Sequence, residues 1–297
     1  MNNINLNKNH TLLIFSLSLF FYFFNLELDS KDLPIICFFL IATIGVSHGA
    51  LDHQKGREIL KFFNLKDMKL FYLIYILFSL LIVLLWLILP AITLAIFLIV
   101  ASYHFGKEDS VFENRSNIKL LNLFLLAKGL LVILAPFYFH LQETLKIFED
   151  LNVNAITIDD NILLGLIILS LISNFIISRN FLLSLLDSFT IILLNLSFEP
   201  LIAFTIYFCF LHSIRHTFSL INVIDNKNFK NGLLNFFKKA LPLTSLTGVI
   251  FLISLFILNN YYLLNSAIMK VVFIGLASLT FPHILLEHLL EKNEKKS

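Results

Sequence analysis

The chain has 297 residues, of which 58% are hydrophobic and only 14% are Asp, Glu, Lys or Arg, and its formal net charge is +2. So little charge excludes a soluble domain of this length. The basic residues are spread over short segments and form no single patch, so nothing indicates nucleic-acid binding.

The apolar residues form about ten segments, and a helix needs roughly 20 residues to cross the hydrocarbon layer. Pro90 separates the third segment from the fourth, and Arg179 and Asn180 separate the sixth from the seventh, which predicts two tight helical hairpins. The sequence therefore predicts an all-α, polytopic transmembrane helix bundle that forms one integral-membrane domain over residues 1–297. The predicted segments are 11–27, 34–51, 69–89, 91–106, 119–140, 162–178, 181–198, 200–219, 242–263 and 267–290.

The basic residues predict the orientation of these segments. Lys and Arg follow the second, fourth, eighth and tenth segments, whereas the acidic stretch 141–161 follows the fifth. Because cytoplasmic loops carry the excess of Lys and Arg, we expect a multi-pass protein of the cell (inner) membrane with both termini in the cytoplasm. Residues 221–241 are expected to form either a plain loop or a short amphipathic helix on that surface.

Histidines point to a shared site. Seven of the nine lie in four motifs, HGALDH, SYHFGKED, HSIRH and FPHILLEH, each toward the cytoplasmic end of an even-numbered segment. Ionisable residues in spanning helices normally face the bundle interior, and residues at i and i+4 share a helix face. The pattern predicts one metal ion bound by His48, His104, His212 and His216.

Carboxylates follow three of these histidines at i+4 and could accept the second ring N–H of a ligand.

His283 is either a further site residue or a polar contact between helices next to Pro282, and Tyr103 either donates into the cavity or belongs to an aromatic belt. His53 and His288 are expected at the interface, and Arg215 is expected to extend toward it. The candidate residues around the ligands are Asp52, Glu108, Asp109, Tyr103, His283 and Glu287.

Imidazoles without thiolates suit iron, copper, zinc or nickel. An apolar cavity with open coordination positions favours Fe(II) and O2, because O2 and an apolar substrate both partition into the membrane.

At these motifs the chain resembles the Brp/Blh family of bacterial membrane β-carotene 15,15′-dioxygenases. The resemblance rests on SHGALDH (47–53), YHFGKED (103–109), HSIRH (212–216) and PHILLEH (282–288), and it spans about residues 40 to 290. It implies a non-haem iron(II) enzyme that uses O2 to split β-carotene into two molecules of all-trans-retinal. The family's four iron ligands match His48, His104, His212 and His216, and a functional link to a retinal-binding rhodopsin would follow from the product.

Other functions fit parts of the pattern. A di-iron hydroxylase or desaturase of the membrane histidine-box type would resemble families with paired HH motifs, which this chain does not contain. A haem b protein would need axial ligands on opposite sides of the haem, whereas His212 and His216 share one helix face. A non-enzymatic carotenoid, retinal or metal transporter would use the histidines as a relay or a metal path.

Overall fold

The computed structural model describes residues 3–24, 32–110, 120–154 and 158–294, and these residues form helices and short connections without a β-strand. The predicted all-α fold is confirmed. The helices of the described ranges are α1 (Asn3–Phe24), α2 (Leu33–Phe62), α3 (Met68–Ile88), α4 (Pro90–Glu108), α5 (Leu121–Phe139), α6 (Leu141–Asp150), α7 (Asp160–Ile177), α8 (Phe181–Ser197), α9 (Pro200–Ile224), α10 (Phe229–Leu258) and α11 (Leu264–Glu294).

Eight of these described helices are long and apolar enough to cross a membrane, namely α2, α3, α4, α5, α7, α9, α10 and α11. Helix α8 is apolar but has 17 residues, and α1 begins with a polar turn. The chain is thus a polytopic helical protein, while the number of ten spans stays a prediction. Both predicted hairpins are present, since Leu89 alone separates α3 from α4 and Asn180 caps α8 through the amide of Leu183.

The acidic stretch 141–161 and the stretch 221–241, which was expected to be either a loop or a short amphipathic helix, are largely helical where the structure describes them. Within 221–241, only residues 225–228 separate α9 from α10, and α10 continues through Pro242, so the predicted start of this segment at 242 was wrong. The early start has a packing reason: Phe236 and Ala240 are buried against Ala50 and Leu51 of α2. The acidic stretch contains α6, and its residues 155–157 lie outside the described ranges.

Helices α4 and α5 cross at two glycines. A Cβ atom built on Gly106 would lie 1.8 Å from the carbonyl oxygen of Leu125, and one on Gly129 would lie 1.8 Å from that of Ser102. Small residues allow this close backbone approach between membrane helices. The crossing fixes the position of α4, which carries His104.

Candidate metal centre

Two of the helices that carry the histidine motifs contain π-helical turns beside those motifs. The turn in α2 covers Ile41–Gly45, and the turn in α9 covers Tyr207–Ser213. The hydroxyl of Ser213 donates to the carbonyl oxygen of Gly45 over 3.1 Å, so the two turns contact each other. Wide turns of this kind occur frequently at functional sites, and here they join α2 and α9 next to the histidines.

His212 is fixed by an aspartate from another helix. Its Nδ1–H donates to Oδ1 of Asp109 over 3.0 Å, and the hydroxyl of Tyr207 donates to Oδ2 of the same carboxylate over 2.6 Å. His212 is fully buried. An imidazole whose Nδ1–H is donated to a carboxylate presents its Nε2 lone pair to a metal, and the carboxylate raises its basicity.

His216 has the same kind of support. Its Nδ1–H donates to Oε2 of Glu108 over 2.6 Å, with both side chains buried. Consecutive residues at the end of α4 therefore orient the two histidines of HSIRH: Glu108 orients His216 and Asp109 orients His212.

His283 is oriented by a carboxylate of α2. Its Nδ1–H donates to both oxygens of Asp52, over 2.8 and 2.9 Å, and the hydroxyl of Tyr75 donates to Oδ2 of Asp52 over 2.9 Å. On its other side, Nε2 of His283 lies 3.5 Å from Oε1 of Glu287, which also accepts from Nζ of Lys55 over 2.5 Å.

These interactions gather the imidazoles at one point. The ring centroid of His104 lies 5.2 Å from that of His212 and 5.3 Å from that of His283, and the ring of His283 lies 6.2 Å from that of His216. Two rings that bind one ion at about 2.1 Å place their centroids roughly 5 Å apart. Potential ligand atoms of His104, His283 and Glu287 also lie within 4.8 Å of one another. Among the described residues, His104, His283 and Glu287 therefore form the group that could hold one metal ion, and the rings of His212 and His216 lie next to it.

The structure pairs the carboxylates differently from the i, i+4 hypothesis. Glu108 accepts from His216 and Asp52 accepts from His283, each on a different helix from its partner. Glu287 keeps its i+4 neighbour, His283, within 3.5 Å, whereas the pair of His48 and Asp52 lies outside what the structure describes. The Nδ1 atom of His104 lies 4.0 Å from Oε2 of Glu287. Sequence spacing identified the carboxylates but could not assign them to their histidines.

The remaining candidates lie around this cluster or away from it. The side chain of His48 is outside the described part of the structure, so its role as a ligand stays a prediction. Tyr103 is half-buried and donates to Oδ1 of Asn122 over 3.4 Å. His288 is exposed on α11, and His53 is half-buried and lines a cavity next to the cluster.

The expectation for Arg215 was wrong. Its side chain is 1% exposed and forms two hydrogen bonds, of 2.8 and 2.9 Å, with the carboxylate of Asp187, while Nη2 also donates to Thr11 over 3.0 Å. A buried guanidinium needs such a partner. The contacts of Arg215 with Asp187 and Thr11 hold the HSIRH segment of α9 against α8 and α1. Sequence reasoning missed Asp187, and with it Tyr75, Tyr207 and Lys55, because no local spacing links them to the histidine motifs.

A cavity of about 580 Å³ reaches the cluster at His104, His283 and Asp52. This volume is within the range of roughly 300–1,000 Å³ that is common for ligand pockets. Most of its remaining surface is apolar and aromatic. Its phenylalanines are Phe71, Phe97, Phe105, Phe137, Phe148, Phe204, Phe208, Phe251 and Phe273.

The cavity meets the outer surface of the bundle at helices α3 and α10. Ile76 and Leu80 of α3 line it and are 55% and 53% exposed, and Leu246 and Ile250 of α10 line it and are 56% and 52% exposed. Because this outer surface is apolar, the cavity is accessible to a lipid-soluble molecule.

The sequence around this cluster matches a known protein family. Residues 39–291 match the family described as β-carotene 15,15′-dioxygenase. The chain belongs to the β-carotene 15,15′-dioxygenase family. The match includes every residue of the cluster and all four histidine motifs.

A curated relative agrees with this membership. The β-carotene 15,15′-dioxygenase of the uncultured marine bacterium 66A03 is 30% identical over 253 residues, which cover 83% of this chain and 90% of the relative. No solved structure matches the chain. The family predicted from the motifs is therefore confirmed, and so is the prediction of an enzyme of the carotenoid-cleaving dioxygenase class.

Proposed function

We propose that this β-carotene 15,15′-dioxygenase family member splits the central double bond of β-carotene with O2, giving two molecules of all-trans-retinal. In the balanced reaction, the 15,15′ double bond breaks and each carbon gains one oxygen atom, so no external reductant is consumed. The observation that carries the proposal is the convergence of carboxylate-supported imidazoles at the end of an apolar, aromatic cavity.

The proposed metal is a single Fe(II) ion bound by His48, His104, His212 and His216. The donor set supports it: imidazoles suit iron, and donation of Nδ1–H to Asp109 and Glu108 prepares Nε2 of His212 and His216 for coordination. When bound, iron(II) supplies the binding and activation of O2 that an organic side chain lacks.

The residues of the chain provide positioning and exclusion of water. The aromatic lining holds the rigid polyene. Because His104 and His283 border the cavity, the central double bond of the polyene would lie beside the metal site. Tyr207 and Tyr75 donate to Asp109 and Asp52 and thereby keep the histidine rings in fixed orientations. The apolar walls exclude water from the reacting atoms.

The direct test is to express the chain in a host that accumulates β-carotene and to measure retinal. Retinal that appears with the wild-type chain and is abolished by His212→Ala supports the proposal, with His288→Ala as an exposed control on α11. Full cleavage by His212→Ala would contradict the ligand assignment. A longer or unequal pair of cleavage products would contradict central cleavage.

Purified protein tests the cofactor. One iron per chain, loss of activity with a chelator and recovery with Fe(II) support the proposal. Incorporation of isotopically labelled O2 into retinal supports the role of oxygen. Two irons per chain would favour the di-iron hydroxylase alternative, a Soret band would favour a haem protein, and carotenoid binding without product would favour a transporter.

We further propose that the protein lies in the inner membrane with both termini in the cytoplasm. The support is the excess of Lys and Arg after alternate predicted segments. A reporter enzyme active only outside the cytoplasm should be inactive when fused to residue 297 and active when placed within residues 141–161, which follow the fifth predicted segment. Activity of the reporter at residue 297 would overturn this orientation.

A further inference from the structure

His283 lies at the centre of the described histidine cluster, although it is not one of the four proposed ligands. Its ring centroid is 5.3 Å from that of His104 and 6.2 Å from that of His216, so it lies between imidazoles of α4 and α9. The side chain is buried, at 4% exposure, and it borders the cavity. A role at the helix surface, as a simple polar contact, does not explain this central position.

The support of His283 repeats that of His212. In both cases an aspartate on another helix accepts the Nδ1–H, and a tyrosine hydroxyl donates to the same aspartate, Tyr75 to Asp52 and Tyr207 to Asp109. Carboxylates that accept the second ring N–H are the usual neighbours of metal-binding histidines. His283 therefore has the same histidine–aspartate–tyrosine arrangement as His212, which is a proposed ligand.

The hydrogen bond to Asp52 also determines which nitrogen of His283 can coordinate. With the proton on Nδ1, the lone pair lies on Nε2, and this atom is 3.5 Å from Oε1 of Glu287. A potential ligand atom of His104 lies within 4.8 Å of those of His283 and Glu287. Lys55 holds the Glu287 carboxylate at this place through a 2.5 Å contact.

From these contacts we propose that Nε2 of His283 is a fifth imidazole ligand of the metal ion. This inference rests on the proposed metal centre and adds a ligand from α11. It makes coordination depend on four helices, α2, α4, α9 and α11, and leaves fewer positions for O2 than four histidines alone.

The experiment uses the full-length protein in detergent with cobalt(II) in place of iron, because the visible spectrum of cobalt(II) reports its coordination number and ligands. The key variant is His283→Asn, whose side-chain amide can still donate to Asp52 but has no atom at the Nε2 position. His288→Ala is the matched control, since His288 is an exposed histidine on the same helix. The variant Asp52→Asn keeps His283 but changes the group that orients its ring, so it tests the effect of ring orientation by itself.

We expect His283→Asn to weaken cobalt(II) binding by about tenfold or more and to change the spectrum, and His288→Ala to change neither. Free imidazole should restore the wild-type spectrum of a His283→Gly variant, which a purely structural role would not permit. An unchanged spectrum and affinity in folded His283→Asn would overturn the inference. If His283→Asn does not fold, failure of imidazole to alter the spectrum of His283→Gly counts against the inference in the same way.

The two proposals fail differently. If the wild-type protein binds no cobalt(II) or iron(II) at one ion per chain, the metal centre itself is wrong. If the wild type binds one ion and His283→Asn keeps its spectrum and affinity, only the fifth ligand is wrong.

Discussion

Glu108 and His216 meet across helices α4 and α9, with Oε2 of the glutamate 2.6 Å from Nδ1 of the histidine. Both side chains are buried, so water does not screen this contact. The pair couples the position of a proposed metal ligand to a carboxylate that comes from a distant part of the chain.

Replacement of this carboxylate tests its orienting role. We expect Glu108→Gln to weaken iron(II) or cobalt(II) binding by about 10–100-fold, because a neutral amide supports the imidazole less strongly. Metal titration of the purified protein measures the change. Glu291→Gln is the control, since Glu291 pairs with Lys107 and its side chain is 45% exposed. Equal affinities of the two variants would show that Glu108 does not act through the metal.

The glycine crossing of α4 and α5 gives a second prediction. Gly129→Ala would place a Cβ atom 1.8 Å from the carbonyl oxygen of Ser102, so α4 and α5 must move apart next to His104. We expect destabilisation of at least about 1–3 kcal/mol and reduced metal content, measured by thermal unfolding and metal analysis.

Gly165→Ala on α7 is the matched control for this change, because nothing lies within 4 Å of a Cβ at that position. Alanine is the better helix former, so this variant should be neutral or up to about 1 kcal/mol more stable. Similar losses in both variants would mean that helix propensity or handling, and not the crossing, caused the effect.

The buried ion pair behind HSIRH gives a third prediction. Arg215→Met leaves the carboxylate of Asp187 buried without its partner and should cost about 3–5 kcal/mol of stability. The double variant Arg215→Met, Asp187→Leu should recover much of this loss. Unfolding in detergent measures both. A double variant that is less stable than Arg215→Met would contradict the interpretation as a compensated ion pair.

The cavity mouth gives a fourth prediction. Ile76→Trp and Ile250→Trp enlarge residues that both line the cavity and face outward, so we expect slower cleavage of β-carotene supplied from bilayers at unchanged metal content. Leu87→Trp is the control, since Leu87 is 70% exposed on α3 and lies away from the lining. Normal rates in both mouth variants would show that the substrate enters elsewhere.

The sequence by itself determined the fold class and the family. Long apolar segments specify membrane helices, because in the hydrocarbon layer the backbone N–H and C=O groups must form their hydrogen bonds within the helix. Four short motifs specify the dioxygenase family. The sequence also supplied every carboxylate of the cluster, because charged residues are rare inside such helices and stand out. Pro90 and Asn180 marked the helix ends because each has a local effect on backbone hydrogen bonding.

Only the tertiary structure decided how these residues are paired. Asp52 supports His283, Glu108 supports His216 and Arg215 binds Asp187, each across a helix interface that no spacing along the chain encodes. The contact between the two π-helical turns joins α2 to α9, and the backbone crossing of Gly106 with Gly129 positions α4 against α5. Local periodicity describes one helix at a time, whereas the metal centre is formed where several helices meet.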